Sequence, residues 1–515
     1  MNKELILWAD DEIDLLRPHI LFLQSKGYEV VTVTNGRDAL DAMSQQNFNL
    51  IILDENMPGI SGLEALQEIK IMQPNVPVIM ITKSEEENIM NQAIGSKIAD
   101  YLIKPVNPMQ ILLSIKKNLH SGDLVEQKVT GDYRQQFMAI SQKIGMANSI
   151  EEWYDIYSTL VRWELTIANA GSNMEELLVT QKNDANNAFC KFVKRNYEDW
   201  MTKENHPLRS NEVFKTAVMP LLDKGEKVCF VVIDNLRLDQ WKTISPLLSD
   251  SFNIESEQLY TTILPTTTQY ARNAIFSGLM PVDIERMFPD LWVDEDSEEG
   301  KNVNEAPLIH TILERYRRKV AFTYTKVNDK AAGDKLLRHF GSIANHQLNV
   351  MVLNFVDMMS HARTESKMIR ELANTDSAYR SLTESWFRNN YALELFRLMA
   401  RNGYKVVLTT DHGTVRVNNA IKVIGEKNTN TNLRYKLGRN LSYNPKQVFE
   451  IKSPHRFGLP CPNVSTAYIF AANRDFFAYP NNYNYYVQYY TDTFQHGGIS
   501  MEEMLVPLVT LSPKG

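Results

Sequence analysis

Leu50-Ile51-Ile52-Leu53-Asp54-Glu55-Asn56-Met57-Pro58-Gly59 opens with an apolar run too short for a helix and ends that run on an acid. The amphipathic stretch Gly62 to Met72 follows it. Working outward, four more short apolar runs end at Ala9, Thr34, Thr82 and Ile103, and an amphipathic stretch such as Pro108 to Leu119 trails them. Repeated βα units without a hairpin signal predict an α/β fold, a doubly wound five-stranded parallel sheet over residues 1–119. In such sheets functional groups gather at the carboxyl ends of the strands. Asp10 and Asp11 end the first strand, Asp54 the third and Thr82 the fourth, while Lys104 and Pro105 follow the fifth. These positions predict one pocket at one sheet edge.

Three converging carboxylates repel unless a hard cation joins them, and an oxygen-only set suits one Mg²⁺. The chemistry implied is acyl-phosphate formation, with Asp54 as nucleophile, Asp11 a direct metal ligand and Asp10 a ligand through water. Thr82 offers a hydroxyl to the new phosphoryl group and Lys104 its counter-charge. Solvated loop acids and an ordinary turn are the plainer alternative, but five separated positions match in order. The set resembles response-regulator receivers, including Met57-Pro58-Gly59 after the acid and Tyr101 at the aromatic switch position. Trp8-Ala9 departs from the usual smaller or branched residues there, which touches packing and not chemistry.

The chain has 515 residues, 43% hydrophobic and 23% charged, which fits two or three soluble globular domains. A formal charge of -7 argues against broad binding to duplex DNA. Cys190, Cys229 and Cys461 fall in no metal or redox spacing, so a reducing compartment is expected. Leu5 to Ala9 is too short for a signal core, and no stretch reaches membrane-spanning length. The protein reads as cytoplasmic, without membrane insertion.

Residues 120–207 read as a helical bundle. Ile150, Trp153, Tyr154, Tyr157, Leu160 and Val161 recur at helical steps behind a Ser149/Glu152 capping box, and Phe189, Phe192, Val193, Tyr197 and Trp200 form a second stripe. Residues 121–207 carry 13 acidic and 9 basic side chains and no short basic helix to enter a groove, so a linker is favoured over a DNA-binding domain.

From residue 208 to 515 three apolar runs each deliver a carboxylate: Val228 to Ile233 before Asp234, Val350 to Val356 before Asp357, and Val406 to Thr410 before Asp411. A parallel sheet would converge them on one crevice. His361 lies four residues after Asp357 and shares its face if a helix starts there. His412 follows Asp411, and His496 precedes Gly497-Gly498. A mixed Asp and His set favours Zn²⁺, or Mn²⁺, over Mg²⁺. Between Leu264 and Gly278, Thr266, Thr267 and Thr268 put hydroxyls at an expected helix N-terminus, where dipole and metal both favour an alkoxide. Asn235, Arg237, Arg272 and Asn273 are candidates for a phosphate contact or for surface ion pairing.

This set resembles the alkaline phosphatase superfamily, in particular its nucleotide phosphodiesterases and the PglZ domain. The resemblance implies two zinc sites, one of Asp357, His361 and His496, the other of Asp234, Asp411, His412 and the nucleophile. Family spacing places that nucleophile at Thr268 and leaves Thr266 and Thr267 supporting roles; His455 has no assigned role. It implies hydrolysis of nucleotide or short oligonucleotide diesters through a phospho-threonine, with phosphomonoester hydrolysis as the alternative.

Receiver, helical connector and PglZ-type domain in this order resemble the response regulators of type IX secretion. That resemblance implies a sensor histidine kinase as phosphate donor. It also implies a phosphorylation-linked homodimer, through a receiver face from about Glu86 to Leu119. An output domain that binds a sigma factor or secretion component with little catalysis is the other reading.

Overall fold

In a computed structural model the described residues are 3–83, 98–294, 300, 302–365, 375–425, 429–461, 463 and 465–514, with the side chains of 121 and 361–365 outside the description. The chain divides into two compact units, Met1–Gly131 and Asp132–Gly515. Among the described residues no helix is long and apolar enough to cross a membrane.

The first unit holds strands β1 (Leu5–Ala9), β2 (Glu29–Val33), β3 (Leu50–Asp54), β4 (Val78–Thr82) and β5 (Asp100–Ile103), ordered β2-β1-β3-β4-β5 and parallel throughout. Period-two alternation divides their apolar residues. Leu7, Ala9, Ile51, Leu53, Val78 and Met80 face one core with the helices Gly36–Gln45 and Gly62–Met72. Ile6, Trp8, Leu50, Ile52, Ile79 and Ile81 face the other, with residues of Arg17–Ser25 and Pro108–Leu119. Reciprocal caps fix where the helices after β3 and β5 begin: Ser61 with Glu64, and Asn107 with Gln110. Gly62 is required because a Cβ there would lie 2.2 Å from the Asp54 carbonyl oxygen. The doubly wound expectation holds, and β3 ends on Asp54 as the sequence predicts.

The second unit begins with long helices. Ile150–Ala170 starts at the expected Ser149/Glu152 capping box, and Glu175–Thr202 packs against it. Trp153 meets Phe189 and Phe192, so residues of the two aromatic stripes pack together as bundle core.

A six-stranded sheet follows: β6 (Val228–Ile233), β7 (Phe252–Thr261), β8 (Phe322–Val327), β9 (Leu348–Leu353), β10 (Lys405–Thr409) and, far downstream, β18 (Leu505–Pro513), ordered β7-β18-β10-β6-β9-β8. β8, β9, β6 and β10 are parallel, whereas β18 pairs antiparallel with both β10 and β7. The sheet is therefore mixed where a parallel one was expected. Smaller strands lie between: β11 (Val415–Arg416), β12 (Asn419–Lys422), β13 (Tyr435–Gly438), β14 (Val448–Ile451), β15 (Ala467–Ala471), β16 (Asp475–Ala478) and β17 (Phe494–Gln495). β11 pairs with β17, β12 with β16, and β15 with both β13 and β14.

Candidate functional site

In the first unit the carboxyl ends of β1, β3, β4 and β5 bring the predicted residues together. One carboxylate oxygen from each of Asp10, Asp11 and Asp54 falls within 4.8 Å of the others, and Lys104 Nζ lies 2.9 Å from both Asp10 and Asp54. Burial pushes the Asp54 carboxyl up, opposed by the Lys104 hydrogen bond. One ammonium among three acids leaves the cluster net negative, so it fits a divalent cation. Thr82 is buried and its hydroxyl donates to Glu55, a partner that sequence reading missed. Tyr101 is half-buried against the Gly36–Met72 side of the core. A cavity of about 440 Å³ lined by Asp10, Glu12, Leu15, His19, Lys104 and Val106 opens beside these groups. The proposed pairing face from Glu86 falls partly on residues 84–97, outside the described residues.

In the second unit Asp234 follows β6, and Asp411 and His412 follow β10, the parallel neighbour of β6. Adjacent strand ends therefore deliver all three, with donor atoms within 4.8 Å of one another. His412 Nε2 is 3.8 Å from Asp234 Oδ1 and from Asp411 Oδ2. Thr268 opens a short helical segment, and its Oγ1 lies 3.4 Å from Asp234 Oδ1 and 3.2 Å from His412 Nε2. Burial raises both carboxyls above their ordinary value and lowers His412, which favours the neutral imidazole. Asp411 Oδ2 is buried without a hydrogen-bond partner among the described residues. Arg272 Nη1 lies 3.6 Å from that oxygen, and one guanidinium between two acids leaves the set net negative, so the carboxylates with a neutral imidazole fit a divalent transition ion.

The other expected triad is only partly described. Asp357 sits in the first turn of the helix Phe355–Glu365 and not at a strand end, because the apolar run Val350 to Val356 crosses from β9 into that helix. His496 Nε2 is 4.0 Å from Asp357 Oδ1, and the His496 and His412 rings stack at 4.2 Å. The helix includes His361, four residues on as expected, but its side chain lies outside the described residues.

Asn235 takes a left-handed φ of 65°, tolerable for Asn. From there its N–H points at Asp411 Oδ1 (3.4 Å) and its side-chain amide at Asp357 Oδ1 (3.3 Å), tying the two acid groups together. Two of the phosphate-contact candidates are committed elsewhere. Arg272 is buried, with Nη1 2.7 Å from Asp234 Oδ2 and Nε 2.6 Å from Glu305. It orients Asp234 so that Oδ1 faces Thr268 and His412. Arg237 is 2% exposed, forked onto Asp239 and 2.7 Å from Asp376, so its ion pairs are buried and not at the surface. Asn273 is buried and accepts from Asn302.

Thr266 accepts from Gly497 N–H (2.9 Å) and donates to the Gly498 carbonyl (3.0 Å), pinning the loop of His496 to the loop of Thr268. Buried Glu503, paired with Arg434, accepts from Gly498 N–H at 2.9 Å. Gly413 is required because a Cβ would lie 2.0 Å from the Glu502 carbonyl. Thr267 stands at the N-cap position of the helical segment, with its hydroxyl buried and without a hydrogen-bond partner among the described residues, and His455 is exposed in the short helix Pro454–Phe457. Glu305, Arg434 and Glu503 were missed because nothing in their local sequence marks a buried ion pair.

Three family models match successive stretches: the response regulator receiver domain over 6–116, the PorX response regulator linker domain over 123–201, and the BREX system PglZ alkaline phosphatase-like domain over 213–511. Among curated proteins, the transcriptional regulatory protein ZraR of Klebsiella oxytoca is 31% identical over 27% of this chain and 32% of its own length. ResD of Bacillus subtilis (strain 168) is 32% identical over 22% of this chain and 48% of its own. The chain thus spans a third to a half of these relatives. Among solved structures, chemotaxis protein CheY4 of Vibrio cholerae is 28% identical, covering 23% of this chain and 100% of that one, with a TM-score of 0.22. TrrA of Thermotoga maritima, in complex with Mg²⁺ and BeF, is 33% identical over 22% and 99%, with a TM-score of 0.21.

Proposed function

The chain belongs to the PglZ alkaline phosphatase-like family and carries a receiver and a PorX-type linker ahead of that domain, and from this we propose a zinc-dependent phosphodiesterase governed by phosphorylation of Asp54. It is a two-component response regulator, and a receiver implies a sensor histidine kinase as partner. The observation that carries the proposal is the Thr268 hydroxyl, 3.4 Å from Asp234 Oδ1 and 3.2 Å from His412 Nε2 beside Asp411.

Asp234, Asp411 and His412 would hold one zinc; Asp357, His361 and His496 the other. Bound there, the cations supply Lewis acidity to the nucleophile and to the phosphoryl oxygens. Thr268 Oγ bonds to phosphorus as the bond from phosphorus to one ester oxygen breaks, and the hydroxyl's proton passes through solvent to that departing oxygen, which leaves as the alcohol. Water then cleaves the phospho-threonine and returns the hydroxyl. Arg272 keeps Asp234 aimed, and Asn235 fixes the spacing of Asp411 and Asp357. We assign nucleotides and short oligonucleotides as substrates, and type IX secretion as the setting, on the resemblance of the whole architecture. Purified protein with Zn²⁺ should turn over a chromogenic diester faster than the matching monoester. A preference for the monoester would overturn the diesterase reading, and no turnover of either would favour an output that acts by binding a sigma factor or secretion component.

A further inference from the structure

Upstream of His496 lies the uncharged sequence Tyr483-Asn484-Tyr485-Tyr486-Val487-Gln488-Tyr489-Tyr490, which forms one helix. Helical spacing sorts its residues. Tyr483 and Tyr490, seven apart, pack against Val415, Val417, Phe476 and Ala478, and the Tyr483 hydroxyl donates to the Ala420 carbonyl. That anchoring leaves Tyr485 and Tyr486 exposed and Tyr489 half-buried. Tyr485 is 63% exposed and Tyr486 37%. An anchored helix ordinarily presents polar or charged residues on this side. Here it presents rings in ranks: Tyr485 and Tyr489 have centroids 6.1 Å apart with planes 18° from parallel, and Tyr486 and Tyr490 6.2 Å and 12°.

Two features connect this ladder with a phosphodiester strand. Exposed Lys422 sets its ammonium 4.7 Å from the Tyr483 ring, with no acidic partner within ion-pair distance among the described residues. The helix ends shortly before β17, which pairs with β11, so the two strands lead back to the stacked His496 and His412. Along the chain Tyr490 lies within about 20 Å of His496 and Tyr485 within about 30 Å. Aromatic rings beside a cation bind single-stranded nucleic acid, because every base offers a π face and every linkage a negative charge.

We propose that Tyr485, Tyr486 and Tyr489, with Lys422, form a base-stacking subsite that holds an unpaired oligonucleotide while one of its linkages lies at Thr268. The inference rests on the phosphodiesterase reading, so its test uses binding as well as turnover. The probe is a fluorescein-labelled single-stranded tetranucleotide, titrated into the full-length, zinc-free protein and followed by anisotropy. Tyr485→Ala with Tyr489→Ala should weaken binding about ten-fold or more, while Tyr485→Trp with Tyr489→Trp should stay within about three-fold of the parent. An abasic strand of equal length should bind both variants alike. With zinc, the alanine pair should raise KM for the tetranucleotide at constant kcat and leave a small chromogenic diester untouched. Unchanged tetranucleotide affinity in the alanine pair overturns the subsite and leaves the ladder to a protein partner. So does an equal loss for the abasic strand. If the parent cleaves nothing, the phosphodiesterase reading fails while the binding arm still decides the subsite.

Discussion

Replacing Arg237 with Met separates a structural role from substrate contact. The guanidinium reaches Asp239 through Nε (2.9 Å) and Nη2 (2.5 Å) and Asp376 through Nη1 (2.7 Å), and it lies 5.8 and 5.3 Å from the Tyr379 and Phe494 rings. Asp239 keeps Arg380 at 3.1 Å when Arg237 is gone, but Asp376 loses its one ion pair among the described residues. Leaving a fully buried charge uncompensated costs about 3–5 kcal/mol, but Asp376 is 22% exposed and keeps the longer-range attraction of Lys182 and Arg474, so the loss should be about 2 kcal/mol. For a unit of this size that is a fall in melting temperature of about 2–3 °C. The loss depends on pH. Burial pushes the Asp376 carboxyl up, but Arg237 outweighs it and holds the group below the usual carboxylate range. A depressed carboxylate contributes stability above its unfolded pKa and loses it as pH falls through the folded pKa, so in the parent this contribution persists until pH is below about 4. In the variant burial acts with less opposition, the carboxyl rises, and acidification neutralises it earlier. The gap between parent and variant should therefore be widest near pH 7 and narrow toward about pH 5. Adding Asp376→Leu should recover most of the loss, since an apolar replacement of a buried pair is often neutral. Urea melts at both pH values, on all three proteins, read this directly. A loss under about 1 kcal/mol at pH 7, or no recovery in the double variant, would refute the buried-pair argument. A large rise in KM with unchanged stability would restore Arg237 as a phosphate contact.

Asp357→Ala and His496→Ala should each lower bound zinc and remove diester hydrolysis; two equivalents of zinc with unchanged turnover would sink the proposed coordination. Thr268→Val should keep its metal and lose turnover by orders of magnitude, whereas inactivity in Thr267→Val alone would move the nucleophile by one residue. A beryllium fluoride adduct on Asp54 should shift a monomer and dimer equilibrium seen by light scattering. Going from about 10% to about 90% dimer-competent receiver needs only about 2.6 kcal/mol. A protein that stays monomeric with the adduct, or an Asp54→Ala variant that still responds to it, rules out that switch.

The strands carrying Asp54, Asp234 and Asp411 were legible because an unbroken apolar run ending in an acid has few readings other than a buried strand. The run before Asp357 misled for the same reason, since a buried helix start is as apolar as the strand it follows. Partners of buried charges were the hidden part. Arg272 meets Glu305 and Arg237 meets Asp376 across long sequence gaps, and no local pattern distinguishes such an arginine from a phosphate ligand. Thr266, Thr267 and Thr268 are chemically alike in sequence; only the turn that starts at Thr268 separates a loop-pinning hydroxyl, a buried hydroxyl at the N-cap position and the group facing His412.

β18 has a consequence for how the protein comes into being. It enters between β7 and β10, so β7 joins the sheet only through a strand made roughly 250 residues later, a long-range pairing that forms slowly. During synthesis β7 and β10 each expose an unpaired edge until residues 505–513 have left the ribosome. Glu503, which holds the His496 loop in place through Gly498, sits just before that strand. The cluster of Asp234, Asp411, His412 and His496 is therefore completed by the same late insertion that seals the sheet, and a nascent chain stalled short of it would be an aggregation hazard with that cluster still unformed.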